Sequence, residues 1–205
     1  MGNRMFAEML KSARERLVGR DPAEIARLAS VEFDAGQSRF EFKSLGRRIT
    51  VSWPELVVEG AQEGWHQLVI LHYLAIADGI PQTGRWISFA GLKDGMIRGG
   101  GFDRRSASAL SAMLGGLSEN EAAAVCAALG AVPVDSNADL CAVIPFLPEY
   151  PVCLKLWLAD EEIPASARMM VDASADHYLT VEDAVTVGEI VLSELQAGIS
   201  ALKKG

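Results

Sequence analysis

Residues 140–158, LCAVIPFLPEYPVCLKLWL, decide the fold. Two apolar runs, 140–146 and 152–158, flank Pro148-Glu149-Tyr150-Pro151. The runs read as core strands and the proline-bounded tetrapeptide as the turn joining them. Trp157, inside the second run, is expected to be buried. Residues 168–171 extend the sheet by a further short strand.

Working outward, helices frame these strands. Thr180 opens a last helix whose Val181, Ala184, Gly188, Val191, Leu195 and Leu202 recur at helical spacing. Upstream, Ser118 and Glu121 form a capping box for a helix that ends at Gly130. Asp103 is placed to cap a helix that runs to Leu114 and stops at Gly115-Gly116. Short strand-like pieces precede it at 86–89 and around Met96-Ile97. Residues 62–77 form a strongly apolar helix with Trp65, Leu68, Val69, His72 and Ile76. Its stop signal is Asp78-Gly79 with Pro81 beyond. Trp65 and His72 share one stripe of that helix and are expected to be buried. Residues 38–52 alternate polar and apolar around Leu45-Gly46, as a hairpin does. Met5, Met9, Ala13 and Leu17 line one face of a first helix, and Asp21-Pro22 starts a second. The expectation is one α+β domain over 1–205 with a central antiparallel or mixed sheet packed by several helices. Residues 1–37 form its N-terminal helical segment and 38–205 its core.

Composition bounds the function. The 205 residues are 50% hydrophobic and 22% charged, as in ordinary soluble globular proteins. A net charge of -8 disfavours nucleic acid and anionic membranes, both of which need a cationic surface. The apolar runs read as too short and interrupted to span a bilayer. No secretory leader is visible, and Phe6 breaks a myristoylation match. Cys126, Cys141 and Cys153 are odd in number and form no CxxC knuckle, so they read as small core residues in a reducing cytoplasm. Neither a zinc nor an iron–sulfur motif is present, and the cofactor stays unknown.

The chain resembles a bacterial and archaeal family known as domain of unknown function 3786. The resemblance rests on Leu71-His72-Tyr73-Leu74, on Thr83-Gly84-Arg85-Trp86-Ile87-Ser88-Phe89 and on Trp157-Leu158-Ala159-Asp160-Glu161-Glu162-Ile163-Pro164. Val171-Asp172 and Tyr178-Leu179-Thr180-Val181-Glu182-Asp183 complete it. It covers most of the chain from about Phe40 onward. It implies unity of fold and says nothing about catalysis. Some relatives carry a cysteine-rich iron–sulfur module, and this chain has no such cluster.

Two stretches carry candidate chemistry. In the first, Gly99-Gly100-Gly101 precedes the expected helix start, and five Lys/Arg against two Asp/Glu lie between Gly84 and Arg105. Exposed backbone N–H groups and a helix dipole suit an anion there. The expected site for an anionic small molecule or cofactor therefore comprises His72, Arg85, Trp86, Arg98, Gly99, Gly100, Gly101, Phe102, Arg104 and Arg105. A flexible loop with solvated arginines is the plainer alternative. The second stretch holds Asp160, Glu161 and Glu162, which with Asp172 offer oxygen ligands to a divalent cation, Glu182 or Asp183 closing the shell. Its plainer alternative is a solvated strand end.

The histidines add little. His177 follows Asp172 and Asp176 and suits either proton transfer or a structural hydrogen bond. His66 and His72 are six residues apart on a helix and cannot form an i, i+4 metal pair. Three function classes remain open: a binding or accessory protein, a divalent-cation-dependent enzyme and a protein-interaction subunit.

Overall fold

A computed structural model describes residues 2–62 and 64–203. Its architecture is α+β, but with two antiparallel sheets in place of one central sheet. The first joins β1 (Glu32–Asp34), β2 (Arg39–Ser44), β3 (Arg47–Ser52) and β4 (Val58–Glu59) in sequence order. The hairpin turn falls at Leu45-Gly46 as expected, both residues at positive φ. β1 lies within the segment expected to be only helical. That segment also supplies α1 (Gly2–Glu15) and α2 (Pro22–Leu28), the latter capped by the Asp21 carboxylate accepting from Ala23 N–H.

The second sheet has the order β5-β9-β8-β7-β6. Its centre is β7 (Leu140–Leu147) paired with β8 (Tyr150–Trp157), the two runs of the deciding stretch. β9 (Ser166–Asp172) pairs with β8, while β5 (Trp86–Ile87) and β6 (Val132–Pro133) close the edges. Alternate residues Val152, Leu154 and Leu156 of β8 meet Val171, Met169 and Ala167 of β9, all buried. Such a period-two face needs an apolar cover. α3 (Gly64–Ile76), α4 (Gly95–Leu114), α5 (Glu119–Ala127) and α6 (Val181–Leu202) complete the described helices. α4 packs against β9 and α6, and a single hydrophobic cluster runs from Ala13 to Ile199.

α6 opens with a capping box: Thr180 Oγ1 accepts from Asp183 N–H, and the Asp183 carboxylate accepts from Thr180. By length and composition this helix could cross a membrane, against the expectation that no run was long enough. In this fold Val187, Val191, Leu195 and Ile199 are instead buried in the protein core.

The 95–105 region departs most from expectation. Met96-Ile97 is no strand and Gly99-Gly100-Gly101 no loop, since α4 begins at Gly95 and runs through them. Three adjacent glycines have poor helix propensity, but packing needs two positions of this helix bare. A Cβ on Gly99 would lie 2.1 Å from the Phe89 carbonyl oxygen, and one on Gly95 would lie 2.3 Å from it. Asp103 therefore caps a different element. Its two carboxylate oxygens accept from the N–H groups of Phe89 and Ala90, each at 3.0 Å, and hold the 3-10 turn Phe89–Gly91.

Burial also corrects two aromatic expectations. Trp65 is 45% exposed and lies edge-on to Phe6, with centroids 5.1 Å apart. Trp157 is half-buried, its indole N–H donating to Asn137 O. Met5 and Met9 are exposed, whereas Ala13 and Leu17 on the same helix are fully buried. α3 is apolar nearly all round, so periodicity alone did not say which face would stay wet.

Candidate functional site

Helices α1, α3, α4 and α6 enclose a surface groove of about 450 Å³. Its apolar lining comes from buried Leu68 and Val69 of α3 and buried Val185 and Ile190 of α6. Trp65 and Met9 continue that surface toward solvent. α4 contributes Arg98 and Arg105, seven residues or about two turns apart and so on one face. α6 answers with Glu182, Asp183 and Glu189. The shape suits a small amphipathic molecule, because pockets of this size bind through apolar area and a few placed polar groups.

The charged groups are mostly engaged with one another. Asp183 Oδ1 lies 2.7 Å from His72 Nδ1, and its Oδ2 accepts from Thr180 Oγ1 at 2.8 Å. One carboxylate thus ties α3 to the N-terminus of α6, where the helix dipole also favours it. The pairing of His72 with Asp183 has no counterpart in sequence spacing. Asp183→Ala is expected to cost about 2–3 kcal/mol, the sum of a lost cap and a lost charge-assisted hydrogen bond. Denaturant unfolding measures it, and a loss below about 0.5 kcal/mol, the range of neutral surface changes, would show that neither contact matters. Arg105 bonds Glu189 at 3.0 Å, and its guanidinium lies 5.9 Å from the Phe102 ring centroid.

Only part of the sequence-derived anion site converges here. Arg98 and Arg105 line the groove, and His72 reaches it through Asp183. The amides of Gly99, Gly100 and Gly101 belong to the α4 ladder and form no anion cradle. Phe102 is fully buried in the core, and Gly188 leaves room for it: a Cβ there would lie 2.2 Å from the ring. Arg104 is exposed on α4 outside this lining. Arg85 is exposed beside half-buried Trp86, whose β5 position pairs with Asp172. These two belong to the sheet edge, away from the groove lining.

The acidic set does not assemble. Asp160, Glu161 and Glu162 sit in the exposed turn after β8, where Asp160 Oδ1 accepts from the N–H groups of Glu162 and Ile163. Those bonds hold its carboxyl below the usual range. Asp172 ends β9, whose other end adjoins this turn, so the strand separates them by about 20 Å. Among the described residues no group of three or more His, Cys, Asp or Glu could hold a metal ion.

Asp172 has structural work instead. Its Oδ1 accepts from the backbone N–H and hydroxyl of both Thr83 and Ser174, pinning two loops at the sheet edge. Burial pushes its carboxyl up, but these four donors outweigh burial and hold it below the ordinary aspartate value. His177 Nδ1 pairs with Asp78 Oδ2 at 2.6 Å rather than with Asp172 or Asp176.

His66 is weighed in the sequence only as half of a metal pair with His72, and its buried bond network is not foreseen there. It is 1% exposed, and its partners fix its tautomer. Nδ1 accepts from Gln62 N–H, so Nε2 carries the proton and donates to Ser44 Oγ at 2.9 Å. Ser44 in turn donates to Phe146 O. The chain of bonds links α3, β2 and β7 and so joins the two sheets. Burial, then the charge of Arg47, pushes the imidazole down to about 4.

Fold and groove together define an α+β protein with an amphipathic surface cleft, its charges set on two facing helices. The chain belongs to the family described as domain of unknown function (DUF3786), whose match spans residues 21–194. Comparison with curated proteins and with solved structures gave no match.

Proposed function

We propose that this protein binds a small anionic molecule with an apolar body in the groove between α1, α3, α4 and α6. One observation carries the reading: Arg98 and Arg105 stand two turns apart above an apolar lining that includes an exposed tryptophan. With Arg105 paired to Glu189, Arg98 is the arginine left open and would take the anionic head by charge-assisted hydrogen bonds, and Leu68, Val69 and Ile190 would cover the body. Binding is preferred to catalysis because, among the described residues, no nucleophile, base and orienting group meet in the groove. Neither nucleic acid nor a membrane surface is part of this proposal, since a net charge of -8 opposes both. A cytoplasmic setting belongs to it, in keeping with three unpaired thiols.

Hydrophobic carboxylates such as hydrocinnamate and isocaproate test the proposal by thermal shift and calorimetry. Bound probe stabilises the fold by RT ln(1 + L/Kd), where L is the free probe concentration. Arg98→Gln is expected to weaken binding about tenfold with little change in apo stability, because Arg98 is exposed. An unchanged affinity in that variant would remove the site. A second reading, a protein-interaction subunit, draws on Met96 and Ile97, which are 84% and 89% exposed at the start of α4. It would take over if no probe of any charge stabilised the fold.

A further inference from the structure

The charged groups of the groove sort into engaged and open. Asp183 is held by His72 and Thr180, and Arg105 and Glu189 hold each other. Arg98 and Glu182 remain, opposite in sign, one in the first turn of α4 and one in the first turn of α6. Neither makes an ion pair with any described residue.

This arrangement restricts the ligand. A molecule carrying only a negative charge would satisfy Arg98 but lie in a cleft that Glu182 also lines. Like charges brought together at a binding site lower affinity. A molecule carrying only a positive charge would meet the reverse problem at Arg98. A ligand with both charges meets neither, and its apolar body still covers Leu68, Val69 and Ile190.

We propose that the groove takes a zwitterion, with a carboxylate at Arg98, a protonated amine at Glu182 and an apolar body between α3 and α6. α-Amino acids with large apolar side chains are the ligand class that fits. The inference rests on the groove being a small-molecule site and narrows the anionic reading to ligands that also carry an ammonium.

Two matched sets of probes test it with the full chain by titration calorimetry. One is leucine, isocaproate and isoamylamine; the other is phenylalanine, hydrocinnamate and phenethylamine. Within each set the body is the same, and the charges are both, carboxylate alone or ammonium alone. The amino acid is expected to bind about tenfold or more tightly than either partner in its set, the worth of one charge-assisted hydrogen bond. Glu182→Gln should abolish the preference for the amino acid over the carboxylate. Arg98→Gln should abolish its preference over the amine. Circular dichroism and unfolding curves of both variants check that the fold is retained.

The failures are distinct. If carboxylate and amino acid bind equally, the zwitterion inference is overturned while the anionic site stands. If the amine binds best, or if no probe in either set binds, both fall. If Glu182→Gln leaves the preference intact in a folded protein, the assignment of the ammonium to Glu182 is wrong.

Discussion

Gly99→Ala is expected to destabilise the protein by about 3 kcal/mol or more, lowering Tm by roughly 6–12 °C for a chain of this size. The new Cβ would lie 2.1 Å from the Phe89 carbonyl oxygen, 2.3 Å from its carbon and 2.8 Å from Ala90 N. All three are backbone atoms of a 3-10 turn that Asp103 holds in place, so no side chain can swing aside. The next two glycines supply the control. A Cβ at Gly100 meets only the Ala90 methyl at 3.6 Å, and one at Gly101 only the Arg105 tip at 3.8 Å. Removing glycine from a helix interior without a clash stabilises by about 0.5–1 kcal/mol. Gly100→Ala and Gly101→Ala should therefore raise Tm slightly. Similar behaviour of all three variants in thermal unfolding would mean that α4 does not pass against the Phe89 turn, and that the segment is the loop its composition suggests.

Acid should weaken the protein through His66 from about pH 6.5 downward. In the unfolded chain His66 titrates at the ordinary value of 6.5, and in the fold burial and Arg47 take it down to about 4. Between those values the unfolded state binds a proton that the folded state refuses, so stability rises with pH across the window. It is fully present above about 6.5, falls as pH drops toward 4, and levels off below for this group. The depression amounts to about 3 kcal/mol, at about 1.4 kcal/mol per pH unit. Urea unfolding from pH 7 to pH 4 measures this loss. His66→Gln removes the titration, so the difference between wild type and variant should narrow by about that amount toward pH 4. A difference that stays constant with pH would show that His66 keeps its unfolded value in the fold, so that burial does not oppose its charge.

Local chemistry made the elements themselves legible. Asp21, Ser118 and Thr180 each start a helix where their side chains accept from a nearby N–H, and the Leu45-Gly46 turn and the two runs at 140–158 stand where expected. Each is set by a residue and neighbours within a few positions, the range over which caps and turns act. Contacts across the chain decided the rest. Gly99 is helical because Phe89 passes over it, and Asp103 caps a turn thirteen and fourteen residues behind rather than its own helix. The groove draws on Met9, Trp65, Arg98 and Glu189, residues far apart in sequence that meet only when four helices pack. His72 and Asp183 lie 111 positions apart and Ser44 and Phe146 102, so no spacing announces either pair. Propensity and periodicity fix which residues form an element. Which face that element presents, and to what, is set by burial against partners the sequence places elsewhere.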